Sequence, residues 1–292
     1  MMHQTGTISS RDGTPLFYEH WAPAQAGWAS VVIVQGRGEH VGRYAQTAEA
    51  FAAEGLAVWA FDLRGQGRSG GRRGHVEFWR AFLQDVEACV THAAREASGR
   101  QPVLLGHSLG GLLALHYAVE HPQELSALIL SSPLCGLAKP VSRWQDGTAR
   151  WLSRWWPTFA FQRTRADASV LSHDPRVREW FLRDPLVHFR VTARFYTELN
   201  HAMARAAALA THLTVPTLVL QAGDDRLVSV EATRQMAAAI GTADKQFLFY
   251  EGFYHELFNE VDAARVIRDV VAWLRPHVVA SRWSRFPLPS QR

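Results

Sequence analysis

VLLGHSLGGLLALHYA, Val103 to Ala118, decides the fold. A short apolar run, Val103–Leu105, leads into Gly106-His107-Ser108-Leu109-Gly110, and a helical pattern continues from Gly111 to Glu120. The spacing G-x-S-x-G recurs by chance. Between a strand and a helix, however, it marks a sharp turn that holds a serine in a strained conformation and lifts its hydroxyl clear of the sheet. The glycines have a steric reason: a Cβ two residues either side of Ser108 would clash, and Gly111 lets the helix pack close to the strand. Ser108 is the candidate nucleophile.

Outward from this turn the chain alternates between two periodicities. Val31–Gln35, Leu56–Phe61, Val103–Leu105, Leu125–Leu130, Thr217–Gln221 and Gln246–Tyr250 are short β-prone runs. Between them lie helical patterns at Tyr44–Ala53, Phe78–Ala97, Gly111–Glu120, Val230–Ile240 and Val261–Leu274. Such alternation predicts an α/β fold, a mostly parallel sheet flanked by helices on both faces. From about Ser132 to Leu213 the rhythm breaks: no clear strand stands out, and the segment is helical in pattern and rich in Trp and Arg. The expected division is a core over 1–131, an inserted helical cap over 132–213, and the remaining core with a basic aromatic tail over 214–292.

One stretch argues for a different chemistry. FDLRGQGRSGG, Phe61 to Gly71, has the Gly65-x-Gly67-x-x-Gly70 spacing of a dinucleotide-binding turn. In that fold the glycines open a helix directly, so that its first N–H groups meet a pyrophosphate. Here Gly71-Arg72-Arg73-Gly74 follows, and the amphipathic pattern begins only near Phe78. No acidic residue closes a second strand at the expected distance. The spacing without its context is weak, and the stretch reads as a glycine-rich loop.

A serine nucleophile needs a base, and the base an orienting carboxylate. After Ser108, the run TLVLQAGDDRLVSV ends in Asp224-Asp225, and QFLFYEGFYHELFNE carries His255 in the loop that follows. The other histidines fit less well: His107 is the variable position of the turn, His116 lies on the following helix, and His173, His188, His201 and His212 belong to the insertion.

With these motifs in order, the chain resembles the α/β-hydrolase superfamily, and within it the monoacylglycerol lipase and lysophospholipase group. QGRGEHVGRY is similar to that group's oxyanion loop, FDLRGQGRSGGRRGHVEFWRAFLQDV to its next block, QAGDDRLV to the acid loop and YEGFYHELFNE to the histidine loop; SVLSHDPRVREWFLRDPLVH echoes its cap. The resemblance implies that Ser108 is the nucleophile, His255 the base and Asp225, the carboxylate directly before Arg226, the acid. It implies an oxyanion hole made by the backbone N–H groups of Leu109 and Arg37. One departure is Gln35-Gly36, where the group usually has His-Gly. The implied chemistry is two-step acyl transfer on single-chain lipid esters, monoacylglycerol first and lysophospholipid second, without metal or organic cofactor. A small-ester esterase, a thioesterase, a peptidase, an acyltransferase and a non-catalytic binding member remain as alternatives.

Composition bounds the rest. With 292 residues, 47% of them hydrophobic, the chain has enough apolar surface for one large domain with an insertion. The net charge of +4 is carried mostly by scattered arginines, since Lys139 and Lys245 are the only lysines, and no nucleic-acid partner is expected. Cys89 and Cys135 fit no metal spacing and read as buried, reduced thiols. MMHQTGTISSRDG has no apolar core of a signal peptide; a cytoplasmic location, peripheral to membrane at most, is the expectation. In the cap, Val141, Trp144, Thr148, Trp151 and Trp155 share a helical stripe, interrupted in propensity by Gly147. Either the stripe packs its tryptophans on the body, or it rests transiently on lipid with Arg143, Arg150 and Arg154 near headgroups. The tail SRWSRFPLPSQR is a second candidate anchor.

Overall fold

The computed structural model describes residues 1–162 and 168–280. Its strands are β1 (Met2–Ser9), β2 (Pro15–Ala22), β3 (Ala29–Val34), β4 (Leu56–Phe61), β5 (Val103–His107), β6 (Ala127–Ser131), β7 (Ala160–Gln162), β8 (Arg190–Thr192), β9 (Thr217–Ala222) and β10 (Lys245–Tyr250). Its helices are α1 (Ala45–Ala53), α2 (Trp79–Glu96), α3 (Leu109–Glu120), α4 (Arg143–Trp155), α5 (Pro175–Arg183), α6 (Ala193–Ala210), α7 (Val230–Ala239) and α8 (Ala263–Ala280). Eight strands form one sheet in the order β1-β2-β4-β3-β5-β6-β9-β10. From β4 to β10 every neighbouring pair is parallel. This is the α/β-hydrolase architecture that the resemblance implied.

The near-continuous apolar strands follow from burial on both faces. Along β3, Val31 and Ile33 enter one core with α1 and α8, while Val32 and Val34 enter another with α2, α3, α6 and α7. The same period of two sends Leu105 and Ile129 to the first core, and Leu104 and Leu128 to the second. Each strand thereby fixes the height of the loop at its carboxyl end, and these loops gather at one edge of the sheet.

Two elements lie outside the alternation. β1 and β2 form an antiparallel pair in register from Met2↔Ala22 to Ser9↔Pro15, and β2 joins β4 antiparallel. β1 is an edge strand with most side chains in solvent, so MHQTGTIS carries little apolar periodicity.

The insertion between β6 and β9 is not wholly helical, because β7 and β8 pair as a short antiparallel ribbon. Strands of three residues carry too little pattern to be seen in sequence. α4 forms across Gly147 because Ser142 and Gln145 close a capping box at its start. It lies on α6, with Ser153 Oγ 2.8 Å from Thr197 Oγ1. α6 in turn sinks Phe195, Leu199, Ala202 and Ala206 into the larger core. Of the two readings of the tryptophan stripe, packing on the body is not what α4 does: it buries Ala149, Leu152 and Ser153, while Trp144 is 82% exposed and Trp155 65%. The buried face is the one that meets α6. The tail SRWSRFPLPSQR lies outside the described residues.

Candidate active site

The tight turn expected at Ser108 is present. Ser108 has φ +53°, the left-handed region that non-glycine residues rarely adopt, and caps the start of α3. A Cβ on Gly106 would overlap the backbone of Gly110, and one on Gly110 the carbonyl of Val34. Three backbone hydrogen bonds hold the strained residue: Ser108 N–H donates to Ser131 O (3.0 Å), and its own carbonyl accepts from Leu134 N–H (2.9 Å) and Leu112 N–H (3.1 Å). The Leu109 N–H belongs to the first turn of α3, where no intrahelical acceptor is available and the helix dipole is positive.

The acid and histidine loops follow β9 and β10, which are paired in register up to Ala222↔Tyr250. Asp225 Oδ1 accepts from the N–H groups of Leu227 and Val228, both at 2.9 Å. That leaves Oδ2 for His255 Nδ1, at 2.7 Å. Burial pushes the Asp225 carboxyl up, but His255 and the two backbone donors outweigh it and hold it below the usual range. Asp224 is exposed, its N–H bonded to Phe253 O. Of the two neighbouring carboxylates, only Asp225 is aimed at the histidine. His255 is buried, and its ring centroid lies 4.7 Å from that of His107, the residue before Ser108. Burial disfavours its imidazolium; Asp225, then Glu256 and Glu39, favour it more, and its pKa is raised.

The loop after β3 is braced from three sides. Gln35 Nε2 donates to Glu39 O at 2.6 Å, so its amide spans the turn. Gly38 N–H donates to Gln66 Oε1 (2.6 Å), from the glycine-rich loop after β4. In that loop Asp62 accepts from Arg68 N–H (2.7 Å) and Val41 N–H (2.8 Å), and Gly65 N–H closes onto Gly70 O (2.7 Å). No helix follows it before Trp79, and its first arginine, Arg64, is taken by the buried Asp85. The dinucleotide spacing is a structural loop.

Sequence reasoning missed the third brace. Arg43 donates to both oxygens of Glu256 (2.8 and 2.6 Å) and to Glu39 Oε2 (3.2 Å), all three side chains being buried. Tyr44 OH also donates to Glu39 (2.7 Å). The network ties the loop after β3 to the residue beside His255. Its visible trace in sequence is the Glu39–Arg43 spacing of four and the carboxylate directly after His255.

A serine on a strained turn at the start of a helix, with a buried His–Asp pair packed against the residue before it, brings together the residue types used in acyl transfer. The model of the family described as serine aminopeptidase, S33, matches residues 26–262. The chain belongs to this family. It is 35% identical over 270 residues to the monoacylglycerol lipase of Mycolicibacterium smegmatis, covering 91% of this chain and 95% of that one. It is 30% identical over 253 residues to the phospholipase YtpA of Bacillus subtilis, covering 86% and 96%. The crystal structure of the Paleococcus ferrophilus monoacylglycerol lipase superposes with a TM-score of 0.79 at 28% identity, over 95% of this chain and all of that one. Among the described residues of this S33 member, no helix is long and apolar enough to cross a membrane, and no cluster of three or more His, Cys, Asp or Glu side chains is placed to hold a metal ion.

Proposed function

We propose that the protein hydrolyses carboxylic esters of single-chain lipids, monoacylglycerols and lysophospholipids, through an acyl-enzyme on Ser108. The Asp225–His255 pair beside the strained Ser108 turn carries the proposal; the lipase and phospholipase relatives supply the substrate class. Ser108 Oγ attacks the ester carbonyl while His255 Nε2 takes its proton, and Asp225 holds the Nδ1–H tautomer and stabilises the imidazolium. The N–H groups of Leu109 and Arg37 receive the developing oxyanion. His255 then protonates the departing alcohol, activates a water, and the acid is released. The chemistry needs no metal or organic cofactor.

The Arg37 assignment concerns its backbone. Arg37→Ala is therefore expected to keep most of its kcat/KM, whereas Arg37→Pro, which deletes the N–H, should lose at least about 10²-fold. Equal losses in both variants would mean that the guanidinium itself contacts the substrate.

The insertion 132–213 acts as the cap over the serine, and its α4 face is where a lipid surface docks. Trp144, Trp151, Trp155, Trp156 and Phe159 are all exposed, and Arg154 lies over the Trp155 ring. Aromatic rings beside arginines suit the boundary between headgroups and acyl chains. A panel of glycerol monoesters from acetyl to palmitoyl tests the substrate class. Each buried methylene contributes about 0.8 kcal/mol, so kcat/KM should climb with chain length to a plateau, with diacyl and triacyl esters poor. A clear preference for acetyl over the longer chains would make the protein a small-ester esterase instead.

A further inference from the structure

Two segments beside the loop after β3 carry arginines and no carboxylate. Residues 63–76 read LRGQGRSGGRRGHV and residues 185–195 read PLVHFRVTARF. Hydrogen bonds clamp them to each other and to that loop. Thr192 N–H donates to Gly74 O (2.9 Å), His188 N–H to Gly38 O (3.1 Å), and His188 Nε2 lies 3.0 Å from Gly65 O. Gly74 is packed so closely that a Cβ there would strike the Arg190 carbonyl. Arg72, Arg73, Arg190 and Arg194 thus share one neighbourhood, next to the turn that begins with Arg37.

The nearby carboxylates are committed elsewhere. Glu77 pairs with His75 (3.4 Å), Asp184 with His40 (2.6 Å), and Glu198 accepts from Trp79 N–H (2.8 Å). Among the described residues, Arg72, Arg73, Arg190 and Arg194 form no ion pair, in contrast to Arg64 and Arg68, which reach Asp85, Asp12 and Glu19. Arg73 Nη1 and Arg194 Nε are buried without a hydrogen-bond partner. His188 registers the local field: burial, then Arg73, Arg37 and Arg190, push its imidazole down to about 4. Arg73 and Arg194 are half-buried, while Arg72 and Arg190 reach solvent beside them; the buried, unused donors of the half-buried pair are costly unless an anion takes them.

We propose that this cluster is a subsite for a phosphate group on the alcohol side of the ester, so that single-chain esters with an anionic phosphate headgroup are preferred over neutral monoacylglycerols. The proposal rests on the ester-hydrolase reading above and narrows its headgroup. Guanidinium groups match phosphate oxygens in pairs, which ammonium groups do not. The cluster borders the loop assigned to the oxyanion, and a glycerol spacer sets a headgroup phosphate a few bonds from the carbonyl.

The test compares 1-decanoylglycerol with 1-decanoylglycerol 3-phosphate, both below their micelle-forming concentrations so that no interface contributes. The quantity read is the ratio of kcat/KM, phosphate ester over neutral ester. It should exceed one in the unmodified protein and fall roughly tenfold in Arg73→Gln and in Arg190→Gln, since a charge-assisted bond contributes about 1.5–3 kcal/mol. Arg268→Gln, exposed on α8, should leave it unchanged. Calorimetric binding of sn-glycerol 3-phosphate to the unmodified protein gives a second readout that needs neither turnover nor a variant. A ratio of one or less with no saturable binding overturns the subsite and leaves ester hydrolysis standing. Inorganic phosphate binding as tightly as glycerol 3-phosphate, with the ratio the same in all variants, also overturns it, as a site for free phosphate. If neither ester is cleaved but glycerol 3-phosphate binds and Arg73→Gln abolishes that binding, the ester-hydrolase reading fails and the phosphate site stands.

Discussion

Ser108→Ala is expected to lower kcat/KM on a medium-chain monoacylglycerol by about 10⁶-fold without unfolding the protein. Nucleophile and base act as a unit, so removing the serine forfeits nearly the whole of what the triad supplies. Folding should survive because alanine fits the space and backbone bonds do the holding: Ser108 N–H to Ser131 O, and Leu134 N–H to Ser108 O. The left-handed backbone at φ +53° strains alanine about as much as serine. A fluorophosphonate probe should add one adduct to the unmodified protein, at Ser108, and none to the variant. An adduct at another serine, or a variant that still turns over, would remove Ser108 from the mechanism.

Asp225→Asn should cost roughly 10⁴-fold, the scale seen when asparagine replaces a triad aspartate and presents the wrong hydrogen-bonding partner to the histidine. Asp224→Asn should cost far less, because Asp224 is exposed while Asp225 Oδ2 faces His255 Nδ1 at 2.7 Å. The pH profile supplies a signed second measurement. Asp225 is the largest of the influences that raise the His255 pKa against the opposing effect of burial. In the unmodified protein the acid limb of kcat/KM should therefore lie above the ordinary imidazole value of about 6.5, since His255 must be neutral to accept a proton. Asparagine leaves burial to dominate, and the limb of the residual activity should move to lower pH. A larger loss in Asp224→Asn, or a limb that does not move, would reassign the acid.

The parts of the molecule legible in sequence are those where one physical rule dominates. Five strands buried on both faces, β3, β4, β5, β6 and β9, stand out as apolar runs, the edge strand β10 as a sixth β-prone run, and the helices between them as periodic patterns. The G-x-S-x-G turn was legible because sterics at Gly106 and Gly110 leave few substitutes. β1 was hidden because an edge strand in solvent needs no apolar alternation, and the β7–β8 ribbon because three residues hold no period. The direction of the α4 stripe stays open in sequence for a different reason. Periodicity shows that the tryptophans share a face, not which face; α6 takes the side with Ala149, Leu152 and Ser153. The Arg43–Glu39–Glu256 network was missed because its members are far apart in sequence and meet only when the loops after β3 and β10 come together.

The sheet order has a consequence for how the protein is made. β6 ends at Ser131 and its outer neighbour β9 begins at Thr217, with the whole insertion between them. On the ribosome, synthesis proceeds at roughly 5–20 residues per second. The outer edge of β6, carrying Leu128 and Leu130, therefore emerges seconds before the strand that will cover it. An apolar edge with unpaired N–H and C=O groups is a template for another chain. The nascent protein should be most prone to aggregate in that interval, and most dependent on chaperones. Slowing translation between codons 132 and 216 should lower the soluble yield, whereas slowing it after codon 250, once β10 has been made, should not.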